Sequence, residues 1–93
     1  MNAIMIENKD DVAVAIERIQ KGEEISFIRP GGGEERIIAR TDIPIYHKAA
    51  VRDNKADSMI TKYAEHIGQA ACDIFAGEHV HEHNVNSVRE DLK

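Results

Sequence analysis

Tryptophan is absent from this 93-residue chain, leucine occurs once, and phenylalanine and tyrosine contribute two residues each. A core with so few large rings must rely on smaller branched side chains. The single cysteine, Cys72, excludes an internal disulfide and suits a reducing compartment, so a cytoplasmic location is expected. Flanked by Ala71 and Asp73, Cys72 reads as a small packed side chain rather than a nucleophile or cluster ligand. No apolar run approaches the ~20 residues needed to span a bilayer. The opening Met1-Asn2-Ala3-Ile4-Met5-Ile6-Glu7 lacks the basic start and long apolar stretch of a secretion signal. Twelve Lys and Arg against 17 Asp and Glu give a net charge of −5, and the basic residues never cluster beyond isolated pairs. Nucleic acid is therefore not an expected partner.

What the chain does contain is isoleucine, 13 residues of it, with six valines. That β-branched bias favours strands over helices. Apolar content of 42% suffices for the core of one small domain, which at this length buries about 60–65% of its unfolded surface. Strands are expected over Ala3–Ile6, Val12–Ile16, Ile25–Arg29, Arg36–Arg40, Lys48–Val51 and Met59–Tyr63. Pro30-Gly31-Gly32-Gly33 is a loop, and it makes a hairpin of the third and fourth. Ala64–Phe75 is open: Ala64, Ile67, Ala71 and Ile74 would line a helical face, but Gly68 would cost about 1 kcal/mol there. A strand–turn–strand passage through Gly68 competes equally. Residues 1–84 are expected to form the domain, and 85–93 a polar, solvated tail. The fold class is mostly β, with short strands and little helix.

A turn phrase recurs three times, beginning at Ile19, Ile43 and Ile74. Each copy has two residues after the isoleucine, then a turn position, two polar residues and an apolar one. Gly22 and Gly77 occupy the turn position in the first and third copies, where glycine supplies the positive φ other residues resist. Tyr46 occupies it in the second, so either the backbone differs there or Tyr46 carries strain.

Three of the five histidines fall at alternate positions in Gly77-Glu78-His79-Val80-His81-Glu82-His83-Asn84. On an extended strand His79, His81 and His83 would line one face, roughly 7 Å apart. Neighbours in that row could chelate one metal, but His79 and His83 would stand roughly 13–14 Å apart, so a complete site needs ligands from elsewhere. Glu78 and Glu82 are candidate oxygen ligands, although Glu82 should face away from the histidines. The plain alternative is a solvent-facing polar strand. His47-Lys48 could move a proton or bind metal through His47 and hold a carboxylate through Lys48; otherwise they are a polar strand start with an extended lysine. Lys62-Tyr63 could bind an anion or simply pack together, and His66 reads as structural or exposed.

Asp10–Ile16, Ile43–Val51, Lys62–Gly68 and Ala76–Asn84 together resemble, in this order, the N-terminal domain of altronate and galactarate dehydratases. The resemblance runs from about Met5 to Asn84, and Gly77–Asn84 is nearer the altronate side. It implies a SAF-type β-clip fold and a lyase that eliminates water, or sulfite, from a 2-hydroxy acid. Catalytic roles would fall to His47 and Lys48, binding of the small acidic substrate to Lys62 and Tyr63, and a divalent metal, Fe²⁺ or Mn²⁺, to His79, His81 and His83. Tyr46 and Ala64 stand where the family pattern has glycine, which bears on substrate identity. In the dehydratases this domain precedes a much larger catalytic one, whereas sulfolactate sulfo-lyase is similar in having a separate small subunit. The resemblance thus implies a separately encoded large catalytic subunit and an oligomeric assembly. Two other roles compete: a stand-alone module that binds an acidic ligand or divalent metal without catalysis, and a purely structural domain that mediates oligomerisation.

Overall fold

The computed structural model describes residues 1–63 and 65–86. Among the described residues nine strands carry the fold: β1 (Ala3–Ile4), β2 (Val12–Ala15), β3 (Glu24–Ile28), β4 (Glu34–Ile38), β5 (Lys48–Ala50), β6 (Met59–Lys62), β7 (Glu65–Ala70), β8 (His79–Val80) and β9 (Val85–Asn86). They form three antiparallel sheets, ordered β1-β2-β5-β8, β3-β4 and β6-β7-β9. No helix occurs among the described residues, so the expected mostly-β, SAF-type fold holds.

The four-stranded sheet lies between two apolar clusters. Ala13, Ala15 and Ala49 face one, which contains Ile19, Ile25, Phe27 and Ile43; Val12 and Ala50 face the other, with Ile60, Ile74 and Val80. The period-2 alternation of β2 and β5 puts successive side chains into opposite clusters. Fully burying each isoleucine stabilises the domain by about 1.5–3 kcal/mol. Alanines on the central strands leave room for those branched side chains to close over both faces.

The recurrent turn is the organising unit, and it occurs four times rather than three. The fourth copy starts at Asn54, with Asp57 at the turn position. Gly22, Tyr46, Asp57 and Gly77 all have positive φ, at 94°, 69°, 73° and 95°. The copies associate in pairs through isolated bridges, Ile19 with Ile43 and Asn54 with Ile74. In the second pair the aspartates cross over: Asp53 Oδ1 accepts from the Ala76 amide and Asp73 Oδ1 from the Ala56 amide, both at 2.9 Å. The fourth copy escapes sequence reading because polar Asn54 replaces isoleucine and aspartate replaces glycine. Aspartate tolerates the left-handed region better than most residues.

Tyr46 keeps the turn backbone and takes the strain. Its ring is 72% exposed, so it gains little from packing, while the left-handed conformation costs a side-chain-bearing residue about 1–2 kcal/mol. Tyr46→Gly is expected to stabilise the domain by up to about 1 kcal/mol, after allowing for glycine's greater chain entropy. In thermal denaturation that is a rise of roughly 4–8 °C in Tm. An unchanged or lowered Tm would show that the ring makes a stabilising contact.

Three expectations need correction. Cys72 is exposed, not packed, because it sits on the bend after β7. Gly68 is neither helical nor a turn. It lies within β7, beside a register shift that pairs Ile60 with Gly68 but Thr61 with His66, leaving Ile67 as the extra residue of a bulge. Val85–Asn86, expected to begin the tail, instead pair with Gln69 and Ala70. Residues 87–93 of the expected tail, and Ala64, lie outside the described residues.

Candidate functional site

The histidine row does not continue as a strand. After the two residues of β8 the chain turns back over His81–Asn84. Asn84, 6% exposed, builds this turn. Its Oδ1 accepts from the His81 amide at 3.0 Å, its own amide donates to the His81 carbonyl at 3.1 Å, and its Nδ2 donates to the His79 carbonyl at 2.8 Å. A lone asparagine after alternating histidines gave no sequence signal for this role.

His47 arrives from the neighbouring strand. Its carbonyl accepts from the Ala15 amide at 2.9 Å, and its amide donates to the Pro44 carbonyl at 3.1 Å. His79 is opposite Ala49 in the β5–β8 ladder, and its amide donates to Thr41 Oγ1 at 3.0 Å. His47 Nδ1 and His79 Nε2 are 2.8 Å apart. The His47 and His81 rings stack at 4.4 Å between centroids. One nitrogen from each of His47, His79 and His81 falls within 4.8 Å of the others. His47 thus brings a third nitrogen to His79 and His81 from outside the row, in a group that could hold a metal ion.

His83 takes another position. The turn brings its ring to 5.1 Å from that of His79, far nearer than a flat strand allows, but it is exposed and outside the converging triad. The Glu78 carboxylate accepts the Phe75 amide at 2.9 Å and closes its own turn, so it points away from the imidazoles' shared space. His66 lies on the exposed part of β7 and is not one of the converging three.

Burial and the positive charge available on His83, His47, His81 and Lys48 push the His79 pKa down to about 4. At neutral pH His79 is therefore the neutral imidazole that a metal requires. Beside the triad, Lys48, Lys62, Ile67, His81, Glu82 and Val85 line an open cleft of about 210 Å³. Burial, then the nearby Lys62, lowers the pKa of Lys48. The Lys62 ammonium lies 4.6 Å from the centre of the Tyr63 ring. Tyr63, like Tyr46, has positive φ, at 56°, so each departs from ordinary backbone geometry immediately beside a candidate lysine or histidine. The structure therefore brings Lys48, Lys62 and His81 to one cleft, and groups His81 with His47 and His79.

Imidazoles and ammonium groups thus gather at an open, polar cleft rather than in a closed pocket. Residues 1–88 match the altronate/galactarate dehydratase SAF domain, and the chain belongs to that family. It is 36% identical over 92 residues to altronate dehydratase of Escherichia coli (strain K12), a match covering 99% of this chain and 18% of that enzyme. It is also 44% identical over 54 residues to (2R)-sulfolactate sulfo-lyase subunit alpha of Paracoccus pantotrophus, covering 58% of this chain and 81% of that subunit. The corresponding alpha subunit of Chromohalobacter salexigens is 32% identical over 88 residues, covering 91% of this chain and 94% of the subunit. The relatives are thus lyases, and the chain spans under a fifth of the dehydratase but nearly all of the latter subunit. Among the described residues no helix is long and apolar enough to cross a membrane.

Proposed function

We propose that this chain is the small subunit of a cytoplasmic lyase that eliminates water or sulfite from a 2-hydroxy acid, with its active site completed by a large catalytic subunit. The observation that carries this reading is the convergence of His47, His79 and His81 beside a cleft holding Lys48 and Lys62. At about 210 Å³ the cleft is smaller than the ~300–1,000 Å³ of ordinary small-molecule pockets, and it is open, as half of a shared site would be.

The three imidazoles suit a divalent metal. His47, His79 and His81 would hold such an ion, and imidazoles joined by substrate oxygens would suit Fe²⁺ or Mn²⁺. Such an ion supplies a Lewis acid for the substrate's carboxylate and hydroxyl. Lys48, lining the cleft, sets a positive charge against the substrate's acid group. Lys62, with the Tyr63 ring beside it, adds a second cationic contact in the cleft.

Co-expression with a large dehydratase-like subunit tests the reading directly. The two chains are expected to co-purify and, with Fe²⁺ or Mn²⁺, to turn over one of altronate, galactarate or sulfolactate, while this chain alone is inactive. A complex whose activity is indifferent to alanine at His47, His79 and His81 would leave only an assembly role.

A further inference from the structure

We infer that the cleft between Lys48 and Lys62 is a subsite for a single carboxylate or sulfonate group and its adjoining carbon atoms, distinct from the imidazole triad. It rests on the reading above only in assigning the two subsites to one ligand.

The first ground is charge placement. The chain has five more acidic than basic residues, yet its described ion pairs are Arg29–Glu35, Arg36–Glu34 and Arg52–Asp11. None reaches Lys48 or Lys62, which line the same cleft. Lys48 is half-buried, opposite Val14 on one side and Val80 on the other. A partly desolvated ammonium facing a second ammonium is unfavourable unless an anion joins them. Glu82 is the acid in the lining, but it is exposed on the His81–Asn84 turn and pairs with neither lysine.

The second ground is that an apolar part of the cleft lining is built by two backbone devices. The bulge in β7 leaves Ile67 unpaired and 36% exposed. Gly68 next to it lets β9 approach: a Cβ there would lie 2.3 Å from Val85 Cγ1 and 2.7 Å from the Asn86 carbonyl oxygen. Ile67 and Val85 consequently line the cleft beside the lysines with alkyl surface. They offer no side-chain partner for hydroxyl groups, so a short alkyl segment beside the acid group is favoured over a polyhydroxylated one.

The test is a ¹⁵N-NMR titration of the 93-residue chain in EDTA with butyrate, propane-1-sulfonate and the neutral butyramide. Both anions are expected to give saturable shifts at Lys48, Lys62, Ile67 and Val85, and butyramide none. Lys62→Gln and Lys48→Met should each weaken binding by about tenfold, the loss of one charge-assisted hydrogen bond; Glu82→Gln should not weaken it. Equal response to butyramide, no saturable shift, or shifts unchanged in both lysine variants would overturn the proposal. Because chelator is present and no second subunit is needed, failure of the lyase reading would not alter this result, nor would its failure remove the triad.

Discussion

Gly77→Ala is expected to destabilise the domain by about 3–5 kcal/mol, a large part of the total for a chain of this size. Two effects combine at this position. The φ of 95° is one that L side chains rarely adopt, and a Cβ would lie only 2.2 Å from the Ile38 carbonyl oxygen. Neither neighbour can yield cheaply: the Gly77 amide donates to the Ala50 carbonyl and its own carbonyl accepts the Arg40 amide, both at 2.8 Å. The turn therefore pins β8 against the segment that follows β4. Gly22 separates the two effects, since its φ is 94° but a Cβ there would meet nothing within 4 Å. Gly22→Ala should cost only the backbone strain, about 1–2 kcal/mol. Urea denaturation of both variants decides the matter; equal losses would show that the approach to Ile38 is unimportant. Gly77 is also two residues before His79, so the variant should lose metal affinity with stability.

The second large effect concerns metal binding. Removing His47, His79 or His81 as alanine is expected to lower Mn²⁺ affinity at least ~100-fold, beyond the 10–100-fold typical of losing a supporting group around a metal. His83→Ala should cost less than ~10-fold, because His83 stands outside the converging three. Calorimetric titration of the isolated chain with Mn²⁺ reads both results, with circular dichroism to verify that each variant is folded. A deficit in His83→Ala equal to that of His81→Ala would make His83 a fourth ligand. Uniform affinity across all four variants would remove the metal site altogether. The outcome also bears on partner dependence: tight binding by this chain alone would mean that the triad is preorganised before a large subunit arrives.

Much of the architecture was legible in the sequence because strand signals are local. The isoleucine and valine bias, the triple-glycine hairpin and three of the four turns are carried by residues adjacent in the chain. The fourth turn was hidden by its polar residues, Asn54 and Asp57, whose role depends on a bridge to Ile74 twenty positions away. The passage around Gly68 was equally opaque. Its periodicity suits a helix or a strand, and the choice is made by β6 and β9 pairing on either side.

The candidate site divides in the same way. Residue types and their chemistry belong to the sequence: five histidines, the His47-Lys48 step, Lys62-Tyr63, and the alternating row from His79. Which of these share one space was decided in three dimensions. His47 lies 32 residues before His79, and only the β5–β8 ladder joins them. The turn built by buried Asn84 ends the row and, while bringing the His83 ring near His79, leaves it outside the converging three. Lys48 and Lys62 come from different sheets to line one cleft, and the bulge at Ile67 and the close approach of β9 at Gly68 add its apolar lining. Side-chain chemistry and strand preference are encoded locally, whereas convergence depends on long-range pairing and steric closeness, which no spacing along the chain records.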